Sequence, residues 1–233
     1  MAASLITTLR QSAVGAVAAF SAFALMAAQN ASAQALIRDA EIEDTLRQYE
    51  NPLLDAAGLR REDVRIYIVN EDNVNAFVAQ GQNIFINTGL IMRADRPNEV
   101  IGVLAHETGH IAGGHLSRSR EAMNQSVGPM LISIGLGVLA IAAGAPDAGA
   151  ALIAGSQGFA MANFVRFTQV QESAADQAGM SFLEQSGQSG RGLISFFDSQ
   201  IRPFEWQTRR APPWMMTHPF SSDRVEALRQ RVD

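Results

Sequence analysis

The segment His106-Glu107-Thr108-Gly109-His110 sets two imidazoles and a carboxylate within little more than one turn of chain. On a helix of about 3.6 residues per turn, histidines four apart share a face, so both rings reach one ion. Glu107 then projects about 100° around the axis, where it meets a water on that ion without ligating the ion itself. The chemistry spelled by this spacing is metal-assisted hydrolysis with Glu107 as general base.

A hydrolytic zinc site takes three protein ligands and keeps one position open, so a further ligand must come from elsewhere in the chain. Glu172-Ser173-Ala174-Ala175-Asp176 supplies it. Glu172 and Asp176 are again four apart on a predicted helix: Glu172 is the expected ligand, and Asp176 the acceptor of a ligand imidazole's distal N–H. Taken alone the two acids would read as a solvated helix face. The chain has no cysteine, so disulfides, thiolate ligands and a cysteine nucleophile are excluded, and nitrogen and oxygen must hold the metal. One Zn²⁺ per chain is the expected cofactor.

The elements that must position these groups are legible from apolar spacing. Ile42, Leu46, Tyr49, Leu53 and Leu54 recur at helical intervals until Gly58. Three short extended segments follow, Val64–Val69, Asn75–Val78 and Asn83–Asn87, separated by turn-forming residues, and predict a small antiparallel sheet. Pro97 opens the helix that carries HExxH, expected to run to about Leu116. On that helix His115 would lie about 140° from His110 and outside its coordination sphere, a structural residue. Further helices are expected at Val170–Leu183, Leu193–Gln200 and Asp223–Arg231. Between HExxH and the third ligand lies an uncharged, Gly- and Ala-rich hairpin over about 127–162. Its arms are short and glycine-rich for spanning helices, which favours burial or peripheral membrane contact over a transmembrane pair.

At the N-terminus, Arg10, the apolar stretch Ala13–Ala28 and Ala31-Ser32-Ala33 form the three parts of a secretory signal, with cleavage expected after Ala33. The expected organisation is a signal peptide over 1–33 and one domain over 34–233. Loss of Arg10 takes the formal charge from -5 to -6, which argues against a nucleic-acid partner.

Together these motifs resemble the gluzincin metallopeptidases of the HtpX and CAAX-prenyl-endopeptidase type, most of all their soluble periplasmic, BepA-like branch. The resemblance covers Asn75 to Arg224 in four ordered blocks: Asn75-Ala76-Phe77 with Asn83–Gly89, HETGH with His115, the ExxAD at Glu172, and Thr217-His218-Pro219 with Arg224. It implies an α+β fold, a predominantly helical zincin-like domain whose small antiparallel sheet carries an edge strand beside the active-site helix. It implies zinc on His106, His110 and Glu172, with Glu107 as base. For His218 it leaves two roles open: stabiliser of the oxyanion, or fourth zinc ligand of a self-inhibited enzyme. Arg224 would orient a site carboxylate or assist the oxyanion.

Asn83, Ile84, Phe85, Ile86 and Asn87 resemble the edge strand along which such peptidases bind extended chains. The implied function is an endopeptidase acting on unfolded or misassembled exported polypeptides in periplasmic or outer-membrane quality control. A chaperone-like, client-binding protein with latent proteolysis is the alternative. Partner recruitment by the helical-repeat region of that branch is not carried over, since this sequence ends at Asp233.

Overall fold

The computed structural model describes residues 36–201, 218 and 222–232. The expected signal peptide lies outside these residues. A short strand β1 (Leu36–Ile37) precedes helix α1 (Ala40–Ala56), whose first turn is capped by the Asp39 carboxylate accepting from the backbone N–H of Glu41 and Ile42. Strands β2 (Arg65–Val69), β3 (Ala76–Ala79) and β4 (Asn83–Asn87) follow, then a short helix α2 (Thr88–Arg93). The HExxH helix is α3 (Pro97–Ala112); α4 (His115–Ala142) and α5 (Pro146–Gln185) form a long hairpin; α6 (Arg191–Phe196) runs into a π-helical turn, and α7 (Ser222–Val232) packs last.

The fold is α+β and mostly helical, as the motifs implied, but the sheet is mixed rather than antiparallel. Its order is β1-β2-β4-β3, with β2 and β4 parallel. The cause lies in the side chains. Ile66 and Ile68 of β2 and Ile84 and Ile86 of β4 are all buried, so the two strands that carry buried isoleucine pairs take the centre together. The tight turn at Gln80 and Gly81, both at positive φ, folds β3 back onto the outer side of β4. Asn83–Asn87 is therefore an interior strand paired on both sides, not the expected edge. Among the described residues the edge falls to β3.

Two further boundaries differ. The HExxH helix stops at Ala112, because Gly113 and the left-handed Gly114 (φ 61°) break it before His115. The helix expected at Val170–Leu183 is the last third of the 40-residue α5.

Helix α3 is the hub, packed by the sheet, α1, α5 and α6. Its approach to α5 is set by small residues. A Cβ on Gly109 would stand 2.5 Å from the Ala175 carbonyl oxygen, and one on Gly179 2.8 Å from that of Ala105. No side chain separates the two backbones there, which lets histidines on one helix touch acids on the other.

Candidate metal centre

His106, His110, Glu172 and His218 offer ligand atoms that all lie within 4.8 Å of one another. His106 Nε2 is 3.1 Å from His110 Nε2 and 3.2 Å from His218 Nδ1. Glu172 reaches all three rings: Oε1 is 3.2 Å from His110 Nε2, and Oε2 is 3.4 Å from His106 Nε2 and 3.1 Å from His218 Nδ1. The i,i+4 pair on α3 and the acid on α5 are thus brought together as the spacing required. Glu107 is fully buried between them and the sheet, with Oε1 3.4 Å from His218 Nε2.

The outer hydrogen bonds fix which nitrogens face the centre. His106 Nδ1 lies 2.8 Å from Asp176 Oδ1, so its proton is held there and Nε2 presents a lone pair. His218 Nε2 donates to the Ala76 carbonyl at 3.1 Å, which leaves Nδ1 as a lone pair. His110 Nδ1 is 3.0 Å from His115 Nδ1, so Nε2 again points inward. Three imidazole nitrogens and a carboxylate therefore converge on one point, an arrangement that repels itself unless a cation, a proton or a metal ion, sits among them. The donor set, all imidazole and carboxylate, fits a divalent metal of the zinc type.

The charges agree with this geometry. Burial works against ionised Glu172, yet His218, His106 and His110 hold its carboxyl well below the usual range. For Asp176 burial is likewise outweighed, by Arg224 and His106. Burial opposes a charged His106, but Asp176 and Glu172 push its pKa up to about 10, and what favours a proton there favours any cation. Burial drives His110 down to about 3, so that ring stays neutral and free to ligate. Burial also raises Glu107 above an ordinary carboxyl, against the nearby His218 and His106 rings and the Val78 backbone N–H, which suits a group that must take up a proton.

Arg224 is placed as a clamp on the acids. Its guanidinium grips Asp176 through Nε (2.6 Å) and a terminal nitrogen (2.8 Å) and stands 3.0 Å from Glu172 Oε2. It orients both carboxylates at once, while the Phe197 ring lies 5.5 Å beneath it.

Two contacts escaped the sequence. His115 backs His110 because the Gly113–Gly114 break swings it round, and the angular argument held only for an unbroken helix. Glu50 is the other: it is buried at 2% exposure and bonds Thr108 of HExxH at 2.8 Å. Its signal was present, since Leu46, Glu50, Leu53 and Leu54 share one helix face. Thr108 Oγ also lies 2.8 Å from the Leu104 carbonyl, and a hydroxyl has one proton to give. Both bonds hold together when Glu50 is protonated and donates to Thr108. Burial pushes Glu50 up to about 8, in agreement.

The folded chain thus keeps a proton that the unfolded chain releases near 4.5, and stability falls as pH rises between these values. Glu50→Gln preserves the bond to Thr108 and removes the titration. Its unfolding free energy should match wild type near pH 4.5 and exceed it increasingly toward pH 8, by on the order of 3 kcal/mol at neutral pH, with the melting temperature following. Parallel melting curves across that range would refute the protonated assignment.

Comparison with known proteins agrees with this site. The model of peptidase family M48 matches residues 37–232. The beta-barrel assembly-enhancing protease of Yersinia pestis is 29% identical over 198 residues, 85% of this chain and 40% of that protein. Its namesake in Escherichia coli (strain K12) is 26% identical over the same shares. Metalloprotease LoiP of Escherichia coli (strain K12) is 29% identical over 173 residues, 72% of this chain and 62% of LoiP. The chain spans about two fifths of the beta-barrel assembly-enhancing proteases it matches. With HExxH, a convergent glutamate and a family match over nearly the whole described region, the chain belongs to the metallopeptidases of family M48.

Proposed function

We propose that this chain is an exported zinc endopeptidase that cuts unfolded or misassembled polypeptides in the periplasm, in quality control of exported and outer-membrane proteins. The observation that carries the reading is the convergence of His106, His110 and Glu172 beside a fully buried carboxyl, Glu107. A zinc ion held by His106, His110 and Glu172 would supply Lewis acidity toward a scissile carbonyl and a water. Glu107 takes the water's proton and returns it to the leaving amine. Asp176 fixes the His106 tautomer, and Arg224 fixes Asp176 and Glu172. The relatives named for beta-barrel assembly support the cellular setting, and the N-terminal signal pattern supports export.

His218 decides how active the resting chain is. Its Nδ1 fills the fourth corner of the ligand cage, and its Nε2 occupies a main-chain carbonyl of the edge strand. This favours a self-inhibited enzyme over an oxyanion role, because one ring blocks the water position and the strand that would dock substrate. It keeps the client-binding alternative alive as a resting state. His218→Ala should raise cleavage of an unfolded casein-type substrate by about tenfold or more, as expected when the competent state is a minor one. Chelation should abolish that activity. A loss of activity in His218→Ala with metal retained would assign His218 to the transition state instead.

The reading includes peripheral membrane contact. Between Glu121 and Arg166 the hairpin carries one charge, Asp147, and it exposes Leu131, Ile132, Leu136, Leu139 and Leu152. No helix among the described residues is long and apolar enough to cross a membrane, so contact would be shallow. Flotation with phospholipid vesicles should carry the wild-type chain and lose it when Leu136 and Leu139 become Ser. Equal flotation of both would remove the membrane from the proposal.

A further inference from the structure

We infer that Phe77 sets a preference for an aromatic residue in the polypeptide that docks beside the metal centre; the inference rests on the endopeptidase reading above. Three rings cross the outer face of the sheet. Tyr67 and Phe85 stack with centroids 5.1 Å apart and 21° between planes, and Phe85 and Phe77 at 5.3 Å and 9°. The ladder follows the register Tyr67↔Phe85↔Phe77 and ends on the edge strand. All three rings are only partly buried, and Phe77 is the outermost.

The hydrogen-bond phase of β3 defines what an added strand meets. Asn87 N–H donates to the Asn75 carbonyl at 3.0 Å. In an antiparallel ladder, bonded and non-bonded pairs alternate, so Phe77↔Phe85 is a bonded pair while Ala76 and Val78 turn their main-chain groups to the open edge. The Ala76 carbonyl does point that way, since it accepts from His218. A polypeptide adding antiparallel to β3, after His218 withdraws from the Ala76 carbonyl, bonds to Ala76 and to the Val78 carbonyl, while the Val78 N–H stays with Glu107. Its residue opposite Phe77 then falls in a non-bonded pair, where side chains come closest.

That residue projects onto the outer face, where it would continue the ladder past Phe77, whose one stacked ring among the described residues is Phe85. The residue beside it in the same polypeptide passes Ala76, which is one imidazole away from the ligand cage. The aromatic position therefore lies within two residues of the scissile bond. Aliphatic or small residues fit the same edge but forgo the stacking, so the result is a graded preference, not an absolute requirement.

The test uses the zinc-loaded chain, as wild type and in the His218→Ala form, on unfolded peptides that differ only in carrying Phe or Ala at one position scanned around the cleavage site. At one fixed position Phe should raise kcat/KM by roughly 2- to 10-fold over Ala, the range of an aromatic pair. Phe77→Ala should bring that ratio to about one. Tyr67→Ala, which shortens the ladder at its far end, should keep it. The ratio compares two peptides on one enzyme, so a general loss of stability does not move it. A ratio near one in the parent chain at every position, or one unchanged by Phe77→Ala, overturns the inference while leaving the endopeptidase reading intact. No cleavage of either peptide by either parent form overturns that reading and this one together.

Discussion

Glu107→Gln leaves the metal bound and the fold intact while peptide cleavage falls by roughly 10²- to 10⁴-fold, the usual share of a positioned general base. The carboxyl is not among the four groups that converge on the centre; it stands 3.4 Å from His218 Nε2, on that ring's far nitrogen. Metal content should therefore stay at the wild-type value. It is fully buried and burial raises its pKa, and a neutral amide oxygen can still accept from the Val78 N–H. Replacing the carboxyl by a neutral amide of the same shape should hold the melting temperature or raise it. The informative result is the pair of measurements, turnover of an unfolded substrate and metal per chain on one preparation. Retained cleavage with full metal would move the base elsewhere and end the hydrolytic assignment of this glutamate. The same substitution made on His218→Ala should erase whatever activity that change releases.

The meeting of the two histidines of α3 with the two acids of α5 was readable because these residues obey local rules. An i,i+4 repeat needs only the helical period, and His106, His110, Glu172 and Asp176 sit on helices long enough for that period to show. What failed depended on contacts between segments distant in sequence. The sheet order could not be read, since β2 and β4 pair only after the β3 turn has folded back, and nothing in Asn83–Asn87 says whether one neighbour or two will flank it. His115 stays outside the converging group as expected, but its contact with His110 was missed for a local reason: two glycines at 113 and 114 were counted as helix, and a left-handed Gly114 ended it. Glu50 shows the opposite case. Its position on an apolar face was plain, yet a lone acid there reads as an imperfect stripe until Thr108 is found against it. Arg224 gained its role from two acids some fifty residues away.

That role predicts the largest effect on stability. Arg224→Met removes a buried cation that holds Asp176 bidentately and Glu172 singly, and nothing polar takes its place. The two carboxylates remain, one or both ionised and desolvated. Breaking a buried pair by removing one partner costs about 3–5 kcal/mol, which for a domain of this size lowers the melting temperature by roughly 6–20 °C. The loss should be greatest in metal-free protein, because a bound divalent cation partly replaces the missing charge. Saturating zinc should therefore recover a larger share of stability in the variant than in wild type. Arg224→Lys keeps the charge but not the fork, so it should restore Coulombic balance without holding Asp176 in register, and metal affinity should stay lowered, by about 10–100-fold. If Arg224→Met melts within a degree or two of wild type without metal, the guanidinium is a bystander, and the orientation of His106 must rest on Asp176 alone.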